Sequence, residues 1–385
     1  MLSRYSLLVP HENVPPWKRS STAAIGYHQH LYTRVAGGKE TDEVEKWLNQ
    51  EFETPAELPI GRAVSEQHLT SEDWRAILRF LLMQDARTPA SFVKFRARHI
   101  QNLPGIVQNV VQGSVQKLME AKLAGKVIQP QVSAAAADFP SQITTHMEPG
   151  AEFGTMKTEI PVGRSLWLWS LRQPYTHTME AIYRLRTTIL RPPAGMNWVT
   201  SDDPVVKLNY HSATQYDFGG GYGHPGTEIL FPLSPQHLLY AKVGHRPSFH
   251  KYQRVPESTG YAMQKVLIEH AHRMIFAVAP DPMVEKSRPR HVSMEDYKHE
   301  AAQWEQWHKE QSAAEAPIVK PKSPNAVPTT DKRATKHLIG VSRDRRSHEC
   351  KGLALGLSCG FSVVGDGGRL TKWCPQIGLG RRGCG

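Results

Sequence analysis

The sequence predicts an α+β fold, in which a helical bundle precedes a mostly antiparallel strand region that closes with a C-terminal helix. Two observations carry this prediction. Residues from about 40 to 128 repeat apolar side chains at helical spacing, whereas residues from about 160 to 280 contain β-branched segments between proline and glycine breaks. Helices and strands in separate stretches are typical of α+β domains. With 385 residues and 39% hydrophobic side chains, the chain can bury one such domain, expected over residues 1–316.

Four amphipathic helices are predicted in the first half. The first is TDEVEKWLNQEFE, residues 41–53, with Thr41 as a candidate cap. The clearest is LTSEDWRAILRFLLMQDARTP, where Thr70 or Ser71 caps the helix and Pro89 ends it. Its apolar positions follow helical spacing at Trp74, Ile77, Leu78, Leu81 and Leu82. Two further helices are expected over residues 90–99 and 104–125, and the short connections favour an antiparallel bundle.

Strand-like segments fill the second half. They are RTTILRPP (186–193), MNWVTSDDPVV (196–206) and TEILFPLSPQHLLYAKV (227–243), and a short aromatic segment, SLWLWSL (165–171), precedes them. GYAMQKVLIEH, which follows, has helical spacing and leads into the strand-like RMIFAVAP. The glycine-rich GGGYGHPG, residues 219–226, lacks the lysine and following helix of a phosphate cradle, so it is interpreted as a flexible loop.

The last 55 residues differ in composition from the rest. Residues 317–330 have the proline and lysine content of a linker, and residues 331–385 contain 11 of the 29 glycines without helical or strand periodicity. We expect this tail to be disordered. All four cysteines lie in it, with gaps of eight, fourteen and nine residues that lack the close pairs of a typical zinc site.

The net charge of +11 suggests a nucleic-acid partner, but most of this charge is in the tail. Residues 331–385 hold 11 basic and 4 acidic side chains, a net +7, which leaves +4 for the rest. The sequence therefore predicts nucleic-acid binding through the tail only. Because no apolar run approaches membrane-spanning length and the N-terminus lacks a signal-peptide pattern, we expect a cytoplasmic protein without a membrane partner.

The segment TSDDP, residues 200–204, supports two interpretations. Ser, Asp and Pro are residues that turns recruit, so the segment explains itself as a bend between two strands. Alternatively, the end of a buried strand projects Thr200, Ser201 and Asp202 into a cleft, where a carboxylate can ligate a cation or act as a base. Adjacent aspartates in a strand point to opposite sides, so at most one is expected to be catalytic.

QDARTP, residues 84–89, is the second candidate segment. Arg87 near a helix C-terminus satisfies the last carbonyls, or alternatively pairs with an aspartate of the TSDDP segment or with an anionic ligand. Two i, i+2 histidine pairs, His28 with His30 and His270 with His272, are explained as solvated or core-edge residues. The common nucleotide, zinc-protease and serine-hydrolase motifs are missing, so the sequence identifies no metal site and no cofactor.

In order, FLLMQDARTPA, WVTSDDPVV, EILFPLSPQHLL and EHAHRMIFA resemble segments of the bacterial domain-of-unknown-function family 4238. The resemblance extends from about Tyr27 to about Pro280. It implies functional positions at Gln84, Arg87, Ser201, Asp202, Pro204, Pro232 and Ser234. The family's opening His-His-Tyr-Val-Pro-Gln-like segment is not found, and Asp203 stands where Asn is common. The resemblance supplies a fold and positions but no reaction.

Three functions follow as hypotheses. The first is binding of a small or anionic ligand at a cleft built by Gln84, Arg87, Thr200, Ser201 and Asp202, with Asp202, Ser201 and Arg87 as candidate catalytic residues. The second is a metal-assisted hydrolase or nuclease that uses Asp202 as a ligand or base. The third is nucleic-acid binding through the basic tail.

Overall fold

A computed structural model describes residues 1–21, 31–32, 34–36, 39–126, 139–147, 154–172, 176–212 and 215–315, and short parts of the tail. Its helices are α1 (Glu43–Leu48), α2 (Thr54–Val64), α3 (Ser71–Ala86), α4 (Pro89–Leu123), α5 (Arg164–Arg172), α6 (Thr176–Tyr183), α7 (Glu257–His270), α8 (Pro282–Ser287) and α9 (Met294–Glu315). A π-helical turn, Asn49–Glu53, joins α1 to α2.

Strands lie before, between and after groups of helices along the chain. They are β1 (Leu2–Ser6), β2 (Leu8–Val9), β3 (Trp17–Ser20), β4 (Arg34–Ala36), β5 (Lys39–Thr41), β6 (Gln142–Met147), β7 (Gly154–Pro161), β8 (Thr187–Arg191), β9 (Thr200–Ser201), β10 (Val206–Tyr210), β11 (Tyr216–Asp217), β12 (Glu228–Ser234), β13 (His237–Lys242), β14 (Gln253–Arg254), β15 (Met274–Ala277), β16 (His291–Val292), β17 (Ala354–Gly356), β18 (Gly360–Gly365), β19 (Gly368–Lys372) and β20 (Gly378–Gly380). The predicted α+β class is confirmed.

The chain divides into two compact units. The first comprises Met1–Val35, Glu40–Arg98 and Trp167–Ala313, and the second comprises Ala36–Lys39, His99–Leu166 and Ala314–Gly385. In the second unit, β6 and β7 are antiparallel neighbours in a sheet ordered β19-β18-β7-β6, and β17 pairs with β20. The remaining tail residues and the four cysteines lie outside the described residues, so the predicted disorder and the boundary near Ala316 stay predictions.

A six-stranded sheet ordered β11-β10-β12-β13-β8-β14 forms the centre of the first unit. Its strand pairs are antiparallel except for β14 with β8, which is parallel. This agrees with the predicted, mostly antiparallel strand region. Successive side chains of a strand point to opposite faces. Ile189 and Leu239 accordingly pack with α3, whereas Leu190 and Leu238 pack with α7. The apolar stripe of α3 therefore packs against a sheet.

A second sheet of the first unit has the order β3-β1-β15-β9. Strand β1 is central in it and pairs antiparallel with β15 and with β3. Strand β1 was not predicted, because its partner β15 is distant in the sequence, with Ser3 opposite Ala277. The aromatic segment SLWLWSL, inside the region expected to be rich in strands, lies in α5, where Leu166, Trp167 and Leu171 are buried.

The ends of α3 were predicted correctly from local sequence features. Thr70 caps α3 through a reciprocal capping box, and Pro89 begins the next helix. The two helices predicted over residues 90–99 and 104–125 are one helix, α4, with Pro104 inside it. It ends at Leu123, and Gly125 follows with a φ of 62°, a conformation that favours glycine.

Candidate functional site

The bend at residues 201–203 closes on itself. Ser201 lies in β9 opposite Ile275, and its hydroxyl donates to the backbone carbonyl of Asp203 at 2.9 Å and accepts from the Asp203 amide at 3.2 Å. Thr200, its half-buried neighbour, pairs with Phe276 in the same ladder. Ser201 is 9% exposed, and its hydroxyl makes both of these contacts within the turn. This geometry agrees with the interpretation of TSDDP as a bend between two strands.

Asp202 holds the chain segment that follows α7. One carboxylate oxygen accepts from the amides of His272 and Arg273 at 3.0 and 3.1 Å, and the other accepts from the Arg273 amide at 2.9 Å. Burial raises the pKa of this carboxyl, while nearby His272 and these amides lower it. Asp202 thus ties the TSDDP bend to the start of β15.

Arg87 is the C-cap residue that follows α3, and its guanidinium pairs with the carboxylate of Glu53. Its backbone carbonyl accepts the Tyr32 hydroxyl at 2.5 Å, and burial raises the pKa of that phenol to about 12. Gln84 is half-buried on the last turn of α3. The proposed pairing of Arg87 with an aspartate of TSDDP is not formed, because its described partner is Glu53.

The two segments meet instead through Thr88 and Asp203. The Thr88 hydroxyl donates to Asp203 Oδ1 at 3.1 Å and accepts from the Ser91 amide at 3.0 Å, so it also caps α4. Asp202 and Asp203 contact different groups, as expected for neighbouring residues of an extended chain. QDARTP and TSDDP are therefore in contact, but through Thr88 and Asp203 rather than through Arg87 and Asp202.

Asp203 is the centre of a polar cluster. Its carboxylate is 4% exposed and accepts from Lys94 Nζ at 3.2 Å. His270, at the end of α7, has Nε2 at 3.6 Å from Asp203 Oδ2 and Nδ1 at 3.0 Å from the Asp203 carbonyl. We name Thr88, Lys94, Asp203 and His270 the Asp203 cluster.

The protonation of the cluster follows from its burial. Burial lowers the pKa of His270, although the Asp203 charge acts in the opposite direction, so the imidazole is neutral at pH 7. A neutral ring that donates from Nδ1 to the Asp203 carbonyl keeps Nε2 as an acceptor. Phe218 covers the ring at 4.9 Å between centroids. The cluster thus joins a buried carboxylate, a neutral imidazole and one exposed ammonium.

A second ion pair lies beside this cluster. Lys207 Nζ is 2.5 Å from Asp85 Oδ2, and the Tyr222 hydroxyl donates to the same oxygen at 3.0 Å. Asp85 belongs to QDARTP, and Tyr222 belongs to the glycine-rich loop. That loop contains hydrogen-bonded turns, and Gly220 is required there because a Cβ would lie 2.9 Å from the Lys207 carbonyl oxygen. Among the described residues, no group of three or more His, Cys, Asp or Glu is arranged to hold a metal ion.

A family model described as "Protein of unknown function (DUF4238)" matches residues 4–281, well over half of the chain. The chain belongs to the DUF4238 family. The match begins 23 residues before the expected start at Tyr27, within strand β1, and so includes β2 and β3. All members of the Asp203 cluster lie inside the DUF4238 match. No curated protein and no solved structure matches the chain.

In this DUF4238 protein, the QDARTP and TSDDP segments singled out from the sequence are in contact, but Thr88, Lys94, Asp203 and His270 were not predicted as a group. Thr88 and Asp203 were inside the quoted motifs, and the departure from Asn at Asp203 was a usable signal. His270 was noticed in a histidine pair and explained as a core-edge residue. Lys94 carried no signal, because an exposed lysine on an amphipathic helix is ordinary. His28 and His30 lie outside the described residues.

Proposed function

We propose that the chain binds a small ligand through an anionic group at the Asp203 cluster, with Lys94 as the contact to the anion. The observation that carries the proposal is the contrast between the two partners of this ion pair. The Lys94 side chain is 65% exposed, whereas the Asp203 carboxylate beneath it is 4% exposed. An ammonium has three donors, and Asp203 takes one of them in the described contacts.

The proposal keeps the ligand class expected from the sequence and moves the site. Arg87 pairs with Glu53 and is 22% exposed, whereas Lys94 is 65% exposed, so Lys94 is the better candidate for an anion. The His270 side chain is 6% exposed, so Lys94 is the accessible member of the ion pair with Asp203, and inorganic phosphate is a simple anionic probe for it. No helix among the described residues is both long and apolar enough to cross a membrane. Cytoplasmic location stays a prediction.

Asp203 competes with the ligand for Lys94, and this gives a sharp test. Replacing Asp203 with Asn removes the competing charge and keeps an oxygen acceptor for Thr88. Two charges at about 4 Å interact by roughly 1 to 4 kcal/mol between water and a protein surface, so we expect about tenfold tighter phosphate binding in Asp203→Asn. Lys94→Ala should abolish the binding. Isothermal titration with inorganic phosphate at low ionic strength measures both effects.

The matched control is Lys309→Ala, because Lys309 is 68% exposed and pairs with Glu305 on α9. It makes the same change in net charge and should leave phosphate binding unchanged. Equal affinity in wild type, Lys94→Ala and Asp203→Asn would overturn the proposal, as would a loss in Lys309→Ala as large as that in Lys94→Ala. Metal-assisted hydrolysis through Asp202 stays a prediction from the sequence alone.

A further inference from the structure

The β12–β13 hairpin of the first unit brings a serine hydroxyl against a histidine. Ser234 Oγ lies 2.9 Å from His237 Nδ1, across a turn where the register shifts between Pro232 and Ser234. Ser234 is half-buried, and its hydroxyl also accepts from the Gln236 amide at 3.2 Å. The Ser234 oxygen thus accepts one hydrogen bond within the turn, from the Gln236 amide, and its proton is directed at the imidazole of His237.

Glu66 fixes the orientation of that imidazole from the other side. His237 Nε2 lies 3.2 Å from Glu66 Oε1, and the same carboxylate is held by Arg191, whose Nε is 2.5 Å from Oε1. A carboxylate partner places the ring proton on Nε2, so Nδ1 carries the lone pair that accepts the Ser234 proton. A nucleophile, a base and a third group that orients the base are the parts of a serine triad.

The backbone at Glu66 is in an unusual conformation for its residue type. Helix α2 ends in a Schellman motif, in which the Glu66 amide donates to the Ala63 carbonyl at 3.2 Å and the Gln67 amide to the Arg62 carbonyl at 2.9 Å. Glu66 occupies the left-handed position with a φ of 57°, where glycine is favoured. The side-chain contacts of Glu66 to Arg191 and His237 offset this cost.

A second strained residue lies next to His237. Tyr252 has a φ of 62°, and its ring centroid is 6.1 Å from that of His237. Glu66 and Tyr252 are the two non-glycine residues with positive φ in the described part of the chain. Strained backbone of this kind gathers at functional sites, because the surrounding contacts hold it in place.

We propose that Ser234 is a nucleophile for esters and other activated acyl compounds, with His237 as its base and Glu66 as a positioning residue. This activity is independent of anion binding at the Asp203 cluster. Ser234 lies in the segment PLSP, residues 232–235, and the family resemblance alone had pointed to this segment. The imidazole acts with its two nitrogens exchanged relative to the usual serine triad, in which the serine faces Nε2.

In the first step, Ser234 Oγ bonds to the carbonyl carbon and its proton moves to His237 Nδ1, while the carbonyl π electrons move onto oxygen. When the tetrahedral intermediate collapses, the bond to the leaving alkoxide breaks, and the alkoxide takes the proton from Nδ1. Water then attacks the acyl-serine by the same sequence, which releases the acid and restores Ser234. Glu66 stabilises the imidazolium that forms between these transfers.

The test is labelling of the full chain with a fluorophosphonate probe, which forms a phosphorus–oxygen bond to an activated serine and releases fluoride. Peptide mass mapping should place the label on Ser234, and Ser234→Ala should remove it. Ser114→Ala is the control, because Ser114 donates only to the Val110 carbonyl in the described contacts. It should label as the wild type does, and so should Lys94→Ala, which separates this proposal from the previous one.

Two further variants distinguish a relay from a structural hydrogen bond. His237→Asn should slow labelling at least 100-fold, while Glu66→Gln should shift the pH profile of labelling. Ser234→Cys keeps the turn and should alkylate with iodoacetamide faster than its own His237→Asn double variant. Absence of a label on Ser234 in the folded wild type, or equal labelling rates with and without His237, would overturn the proposal.

Discussion

At the scale of single residues, close backbone approach decides where glycine is needed. Gly260, in the first turn of α7, faces the loop after β8, and a Cβ there would lie 2.3 Å from Pro193 Cγ. Gly61 in α2 is the opposite case, because a Cβ would meet nothing within 4 Å. The two residues look alike in the sequence, and their tolerance of a methyl group differs only through tertiary packing.

We expect Gly260→Ala to lower the free energy of unfolding by about 1–3 kcal/mol, because either the helix or the proline loop must shift. Gly61→Ala, the matched control, should raise it by about 0.5–1 kcal/mol through helix propensity. Urea unfolding followed by circular dichroism measures both. A neutral Gly260→Ala variant would show that the contact with Pro193 relaxes without cost.

The contacts of the candidate site also depend on single residues. TSDDP and QDARTP were identified from sequence, but in the bend that follows β9 it is Asp203 rather than Asp202 that meets Thr88. The choice between neighbours depends on the pairing of β9 with β15, which no local pattern encodes.

At the scale of elements, helix ends are the best-predicted features. The Thr70 hydroxyl accepts from the Asp73 amide at 3.2 Å, and Asp73 accepts from the Thr70 amide at 2.9 Å. This local motif was visible in the sequence because its partners are three residues apart. Longer elements were predicted less well, because α4 continues through Pro104 and the region expected to be rich in strands contains helix α5.

The capping box gives a pH-dependent prediction. The Thr70 amide, and then Arg62, lower the pKa of Asp73 below 3.8. A carboxyl with a lowered folded-state pKa stabilises above its unfolded pKa, and this contribution is lost as pH falls through the folded-state value. Asp73→Asn should therefore destabilise at pH 7, with a difference from wild type that shrinks at pH 3. Thr70→Ala should cost about 1 kcal/mol at pH 7.

Chemical unfolding of the wild type, Asp73→Asn and Thr70→Ala at both pH values tests this account. Arg75→Ala serves as a control, because Arg75 makes an exposed pair with Glu72 one turn into the same helix. A penalty for Asp73→Asn that is the same at pH 3 and pH 7 would contradict the assigned pKa direction.

At the scale of the whole molecule, charge is unevenly distributed along the chain. Residues 331–385 carry +7 of the net +11. We expect salt-dependent affinity for nucleic acid to disappear when these residues are deleted, because counterion release scales with the number of cationic contacts. Fluorescence anisotropy with a labelled duplex at several salt concentrations measures this. Salt-dependent binding that survives the deletion would place the contact surface outside the tail.

The sequence by itself determined the α+β class, the boundaries of α3, the strands β8, β9, β12, β13 and β15, and the two segments that meet at Thr88 and Asp203. These features depend on residue periodicity, caps and turns, whose partners are a few positions apart. Only the tertiary structure decided that β1 inserts between β3 and β15, that Asp203 rather than Asp202 meets Thr88 and Lys94, and that Ser234, His237 and Glu66 line up. Glu66 and His237 are 171 residues apart, so their contact depends on how sheets and helices pack rather than on any local pattern.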